Sequence, residues 1–399
     1  MDQVFDVLIV GGGFVGSSLA LALQSSGRSV ALVEAAPSRH GDPAWDERHF
    51  VLNHASIGHL QRLGVWTSVG PQAVAVREVK VSGAGDFGSV RISAAEQGID
   101  ALGATLPARV LGAALAARVQ NLAQLRAIKG RLVGFATGAG CACVQVATGD
   151  AQNELNARLV VGADGTESAL RGLLGGAVAR RDYGQTAIVA VLEADRAHQG
   201  IARERMTRHG PIALLPLAER RLGLVWALSS ARAAQLLDAP SGDFLAALKP
   251  EVGLAPGRLL RVGQRQPWPL AQVLAERRLA PRAVLIGNAA QTIHPIGAQG
   301  FNLGLRDAMA LADALETAGD PGDPQRLGAF ASAREGDRRQ TIAATDRLLA
   351  VFASRALGSS VLRSVGLMAL ERQPQLKRDL ALAFMGYRGL DPPRAAHSA

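Results

Sequence analysis

The residues of this chain that could do chemistry sit in three glycine-rich turns, each placed between an apolar run and a helical one. The richest reads Gly287-Asn-Ala-Ala-Gln-Thr-Ile-His-Pro-Ile-Gly-Ala-Gln-Gly-Phe-Asn302. Residues 283–286 before it read as a buried strand, residues 287–300 as a loop too glycine-rich and polar to pack as core, and residues from 301 onward as a helix. Backbone N–H groups at such a helix N-terminus suit an anion or an electron-rich ring.

The first turn follows the apolar run Phe5-Asp-Val-Leu-Ile-Val10 and reads Gly11-Gly-Gly13-Phe-Val-Gly16, with a helical run over residues 17–26 behind it. In this spacing Gly11 permits the tight turn, Gly13 lets a pyrophosphate approach the backbone, and Gly16 lets helix and strand pack closely. A second strand over residues 29–33 ends in Glu34, where a carboxylate accepts hydrogen bonds from an adenosine ribose and disfavours a 2′-phosphate. The ligand implied is FAD or NAD rather than NADP. The middle turn reads Asp164-Gly165-Thr-Glu-Ser168-Ala-Leu-Arg171 after a strand ending at Gly162. Asp164 stands where it can hold ribityl or pyrophosphate-side hydroxyls, and Ser168 and Arg171 fall three apart on one helix face. An Asp-Gly turn before a surface helix would leave the same trace.

These turns require an α/β architecture that is interleaved rather than tandem. The expected dinucleotide-binding domain is discontinuous, over residues 1–72, 105–178 and 280–318. A strand-rich substrate domain fills 73–104 and 180–279, where residues 75–92 alternate like an antiparallel pair. Residues 319–391 read as C-terminal helices, with Arg334, Arg338 and Arg339 together on one of them, and 392–399 as a disordered tail. The apolar stretch 348–370 fits a core cap, a membrane contact or a partner surface. The cap is the preferred expectation, because Arg355 and Arg363 interrupt the run.

Together the three turns resemble the group A flavoprotein aromatic hydroxylases, whose pattern is GxGxxG, then DGxxSxxR, then GDxxHxxxPxxGxG. Asp46-Glu-Arg48, followed by a helical run and Gly64-Val-Trp66, resembles the flavin-contacting arginine segment of the ubiquinone-biosynthesis hydroxylases in that group. Thr207-Arg-His-Gly-Pro-Ile-Ala-Leu-Leu-Pro216, with Leu224-Val-Trp226 behind it, is similar to their substrate-domain strands. The resemblance implies a Rossmann-like FAD-binding domain joined to an antiparallel β-sheet domain. It also implies a reaction in which NADPH or NADH reduces FAD, O₂ adds to the flavin as a hydroperoxide, and a polyprenylated (methoxy)phenol is hydroxylated. Gly11, Gly13, Gly16, Glu34, Arg48, Arg109, Asp164, Gly165, Gly287, Asn288, Gly300, Phe301 and Asn302 would then hold FAD. His294, Pro295, Gly297, Gln299 and Gly300 would face the isoalloxazine, where backbone N–H groups stabilise the reduced ring. The chain departs from the pattern at 288 and 291, where Asn and Gln replace Asp and His. An amide still accepts a hydrogen bond, so cofactor binding is expected to survive.

Composition agrees with an enzyme of several units, since 399 residues exceed one ordinary core. Only four of the 43 basic residues are Lys (80, 129, 249 and 377), so the net charge of +9 reflects an arginine bias more than a partner. Aromatic residues at 4% are too few for nucleic-acid stacking, and an anionic membrane surface is the better use of a positive field. The uncharged runs 7–27 and 283–305 contain the cofactor turns and are not spans. No basic n-region precedes them, which sets the expectation of a cytoplasmic protein, peripheral at the inner membrane at most. Cys141 and Cys143 fall on one side of a strand as core thiols, with no further Cys for a metal or a disulfide framework.

No GxSxG or HExxH stands in the chain, so a protein nucleophile or metal is a poor candidate for the chemistry. His209 and His294 are the candidates for a phenol base. Other ubiquinone-biosynthesis proteins are the partners left open. So are two other readings: a sibling enzyme acting at another ring position or on a soluble phenol, and a flavin-bearing scaffold without turnover.

Overall fold

The computed structural model describes residues 4–35, 48–253, 257–353 and 359–387. Strand Val4–Val10 is apolar at nearly every position because both of its faces are covered. It lies inside a sheet ordered Leu279–Ala280, Ala283–Leu285, Ala151–Gly162, Val4–Val10, Val30–Glu34, Leu125–Lys129. Val7 pairs in parallel with Leu159 on one side and Val30 on the other, and Val161 with Val284 on the next. Parallel strands end together, so Gly11, Glu34, Asp164 and Gly287 all emerge at one edge, where a doubly wound sheet binds its ligand.

Helix Phe14–Ala22 starts directly after Gly13, earlier than the expected residue 17, and stops at Ala22 rather than 26. A β-carbon on Gly16 would collide with the Gly11 carbonyl, and one on Gly11, whose φ is +101°, would meet the Ala163 carbonyl at 2.6 Å. Glycine at these two positions therefore seats the helix against the sheet.

A second sheet runs Gln291–Thr292, Gln266–Ala275, Val178–Ala194, Arg221–Ser229, Gly210–Pro216, Ile201–Thr207, Glu78–Gly83, Ser89–Ser93. It is antiparallel as expected except where Ile201–Thr207 pairs in parallel with Glu78–Gly83. Alternation splits its residues between two faces. Ile188, Ile212, Leu214, Leu224 and Trp226 face helices Ser230–Asp238 and Ser241–Val252, packing on Phe244 and Leu248. The residues between them face the first sheet. A three-stranded sheet joins His49–Asn53, Gly103–Pro107 and Val74–Val76, so it draws strands from both expected units.

The long helix Pro324–Ala353 lies along Gln299–Leu315 and is fastened by buried ion pairs. Arg334 donates to Asp307 and Asp337 at 2.8 and 2.7 Å, and Arg306 to Asp337 at 2.8 Å. Helix Ser359–Arg372 covers strand Ser89–Ser93 through Ser364, Leu367 and an Arg363–Asp86 pair, and Lys377 of helix Pro374–Met385 pairs with Glu96 and Glu371. The cap expected for 348–370 is only half of what these helices do. Val361, Leu362 and Val365 stand outward at 66%, 75% and 54% exposure, because a single helix turns only one stripe inward. No helix among the described residues is long and apolar enough to cross a membrane. Asp46, Glu47, Arg355 and the tail 392–399 lie outside the described residues.

Candidate active site

One cavity of about 810 Å³ lies between the strand-end edge of the first sheet and the inward face of the second. Its first end is built from the glycine turns: Gly11, Gly13, Glu34, Asp164, Gly165, Asn288, Gly300 and Phe301 all line it. Beside Gly13, Gly165 and Gly300 a β-carbon would meet no protein atom within 4 Å, so the backbone is bare toward the cavity there. The Gly12 N–H donates to Glu34 Oε2 at 2.5 Å, which fixes that carboxylate across the glycine turn at the cavity wall. A dinucleotide fits this end: bare backbone for a pyrophosphate, an acid for a ribose, and a helix N-terminus above both.

Several expected residues also hold the turns together, and some do not reach the cavity. Asp164 lines the cavity, yet its carboxylate accepts from Ser168 Oγ and from the N–H groups of Ala169 and Leu170, so it closes the start of helix Ala169–Leu173. Arg171 is no surface residue. It is buried and donates to the carbonyls of Ala289 and Thr166 at 2.9 and 2.6 Å, tying the middle turn to the third. Asn302 is buried off the cavity and clamps strand His49–Asn53: its amide donates to the Val51 and Ala298 carbonyls and accepts from Asn53. Gly16 packs helix against strand as expected, and Gly287 is a packing position against Val15. Arg109 does not reach the cavity wall. Ala108 and Leu111 of its helix face the core, and one helical step of about 100° carries Arg109 away.

The loop 287–300 is mostly buried, contrary to expectation, with Gln291 tying it to the helices behind. Gln291 donates to Asp307 and accepts from Arg338. Pro295, Gly297 and Gly300 face the cavity, whereas Gln299 folds back on the Gly297 carbonyl. Gly297 and Ala298 are both left-handed, at φ 69° and 51°, which turns the chain sharply into helix Gln299–Leu315. His294 lies behind the loop, edge-on to Tyr183, with Nδ1 accepting from the Ile296 N–H. Burial, opposed weakly by Asp346, pushes its pKa down to about 4. Its imidazole does not line the cavity, so the geometry gives it no contact there with a phenol. His209 sits exposed on the hairpin turn near Glu251, away from the cavity, so it has no such contact either.

Phe14, Phe50, Trp268 and Glu204, which sequence reasoning did not single out, complete the wall beside the expected Phe301 and Arg48. Phe14, Phe50 and Phe301 pack ring to ring, with Phe50 stacked on Phe301 at 4.9 Å. Arg48 lines the cavity as expected and lies 4.1 Å over the ring of Trp268. The floor is the inward sheet face: Val79, Ala187, Val189, Ala202, Ala213, Leu215 and Val225, with Glu204 the one charged residue in that alternation. Glu204 accepts from the Gly297 N–H at 3.4 Å, where the floor meets the loop. Burial lifts its pKa to about 7 against the pull of that N–H. The available signal was Arg203-Glu-Arg205, which puts a charge on each face of a strand that must bury one of them.

A family model described as FAD binding domain matches residues 4–345. The chain is 34% identical to the ubiquinone hydroxylase UbiL of Rhodospirillum rubrum, over 98% of this chain and 92% of that one. It is 31% identical to the 3-demethoxyubiquinol 3-hydroxylase of Escherichia coli, over 96% and 99% of the two chains. The solved structure of p-nitrophenol 4-monooxygenase PnpA from Pseudomonas putida superposes with a TM-score of 0.80 at 17% identity, covering 97% of this chain and 99% of that one, a likeness of fold. By its glycine turns, its cavity and these relatives, the chain belongs to the FAD-dependent ubiquinone-biosynthesis hydroxylases, an aromatic monooxygenase family with the FAD binding domain.

Proposed function

We propose that this hydroxylase acts on the ring of a polyprenylated methoxyphenol, drawn from a membrane and held over the apolar sheet face. The supporting observation is the continuity of the cavity from the bare glycine backbones to a floor of Val, Ala and Leu. Gly11, Gly13 and Gly165 would take the pyrophosphate side of FAD, Glu34 the ribose, and Arg48, Gly300 and Phe301 the region nearer the ring. FAD reduced by NAD(P)H supplies the activated oxygen from O₂. The chain's own part is to bind, orient and exclude water. Small residues at 187, 202 and 213 leave room for a substituted ring, and the phenylalanine wall keeps the site dry so that oxygen is not lost as H₂O₂. N–H groups opening helix Gln299–Leu315 favour negative charge on the reduced cofactor.

A prenyl tail needs an apolar exit. Phe384 of helix Pro374–Met385 lines the cavity, while Leu376 and Leu380 of the same helix are exposed beside Val361, Leu362, Val365 and Met368. Phe87, 80% exposed, adjoins this surface through its bond to Ser364. The occupant we assign is an anionic bilayer, since the chain carries a net charge of +9.

The test supplies purified protein with NADH or NADPH, a prenylated methoxyphenol in detergent, and labelled O₂. A product heavier by one labelled oxygen is expected. Unlabelled or absent product, with FAD bound, would favour the scaffold reading, and the precursor accumulated by a deletion strain would name the ring position.

A further inference from the structure

We propose that Glu204 is the base that takes the phenol's proton in this cavity, an inference that rests on the phenol-hydroxylating reading above. The inward face of the second sheet is apolar at Val79, Ala187, Val189, Ala202, Ala213, Leu215 and Val225, and Glu204 interrupts it at one point. A carboxylate placed there without use would be a cost that a leucine avoids. Its position is the seam of the site. The floor that would carry the substrate meets there the loop that would face the cofactor, and one carboxylate oxygen is held by the Gly297 N–H at 3.4 Å. Strand alternation sets Arg203 and Arg205 on the other face with Glu78 and Lys80 of the neighbouring strand, Arg203 still bordering the cavity. Across the cavity stands Arg48 against Trp268, and behind the loop lies neutral His294. Burial is the main influence on the carboxyl, whose pKa of about 7 is where a general base works best near neutrality.

The step balances as follows. The phenol O–H bond breaks, its proton forms an O–H bond on Glu204, and the electron pair stays on the phenolic oxygen. That pair raises the ring carbon's nucleophilicity toward the oxygen that the bound, reduced cofactor draws from O₂. The hydroxyl that the bound, reduced cofactor would deliver carries its own hydrogen, and the other oxygen of O₂ would leave as water with two protons, one from Glu204 and one from the cofactor, which returns to its oxidised form. The attacked carbon then loses its own hydrogen as a proton to the phenolic oxygen, which restores the aromatic ring and the original hydroxyl beside the new one, and Glu204 is left as the carboxylate.

Two measurements test this on the FAD-loaded protein. The first is equilibrium binding of 2-methoxyphenol and of its methyl ether to the oxidised enzyme across pH. Wild type should prefer the phenol by about tenfold above neutrality and lose that preference in acid. Glu204→Leu should show no preference at any pH, and Glu204→Asp should restore part of it. The second is single-turnover hydroxylation. Glu204→Gln, a shape-conserving change, should slow it by about 10²-fold to 10⁴-fold and remove the acid limb of the pH profile. If wild type hydroxylates the phenol and Glu204→Gln keeps its rate and profile, the base assignment is overturned and the hydroxylase reading stands. If wild type with bound FAD gives no hydroxylated product, both fall.

Discussion

Glu204 links the chemistry of the cavity to the pH dependence of the fold. Its folded pKa of about 7 exceeds its ordinary 4.5, so its contribution to stability is complete below about 4.5 and is lost as pH rises through about 7. A shift of this size is worth roughly 3 kcal/mol. Glu204→Gln should therefore melt progressively higher than wild type as pH goes from about 5 to about 8, and a constant difference across that range would deny the buried carboxylate. His294 and His59 have the opposite sign. Burial lowers both to about 4, aided at His59 by Arg62 and Arg306, so their stabilisation is present above 6.5 and is lost as pH falls through about 4. His59→Gln should flatten the acid side of the stability curve. At the cofactor end, Gly13→Val should fold and stay colourless, because a side chain there meets no protein atom yet fills the space beside the turn. A yellow Gly13→Val protein would remove the cofactor from that turn. Asn288 is exposed on the rim, so Asn288→Asp should keep turnover within about tenfold, or roughly 1.4 kcal/mol in barrier.

At the scale of elements, the third turn is held by what lies behind it. Asp307 accepts from Gln291 and Arg334 at 2.8 Å each, and it is almost wholly buried. Asp307→Ala would leave Arg334 with Asp337 alone and Gln291 without its acceptor. It should lower the unfolding free energy by about 3–5 kcal/mol, read from urea melts. A loss under about 1 kcal/mol would show that Asp337 suffices to hold Arg334. Against burial, Arg306 and Arg334 already keep the Asp337 carboxyl below its ordinary range. The middle turn is governed by the same logic. Asp164 serves the start of helix Ala169–Leu173, so Asp164→Asn should cost about 1 kcal/mol of stability and weaken FAD only by loosening the turn.

For the molecule as a whole, the apolar surface on the last two helices and the cavity share one helix, so the proposed membrane contact and substrate entry would be one arrangement. The protein should float with vesicles containing phosphatidylglycerol, less with neutral phosphatidylcholine, and less as salt is raised. Leu362→Glu with Val365→Glu should abolish flotation and slow turnover of a long-tailed phenol, leaving 2-methoxyphenol unaffected. If that variant instead splits a dimer and floats as well as wild type, the surface is a subunit interface and the membrane assignment fails.

The sequence by itself determined the cofactor end. Glycines at 11, 13 and 16, Glu34 and the Asp164-Gly165 turn are legible because backbone clearance and a strand-end acid are local requirements, written in adjacent residues. The alternating strands of the second sheet are legible for the same reason. What lies opposite what was decided only by the tertiary structure. That Glu204 projects into an apolar floor depends on which face of the second sheet helices Ser230–Asp238 and Ser241–Val252 cover. That Arg171 and Asn302 serve as clamps, that His294 lies behind the loop, and that Val361 and Leu362 face outward depends on contacts between segments far apart in the chain. Burial is a property of the packed whole, and it separates a carboxylate at a helix start from one poised near neutrality in an apolar cavity.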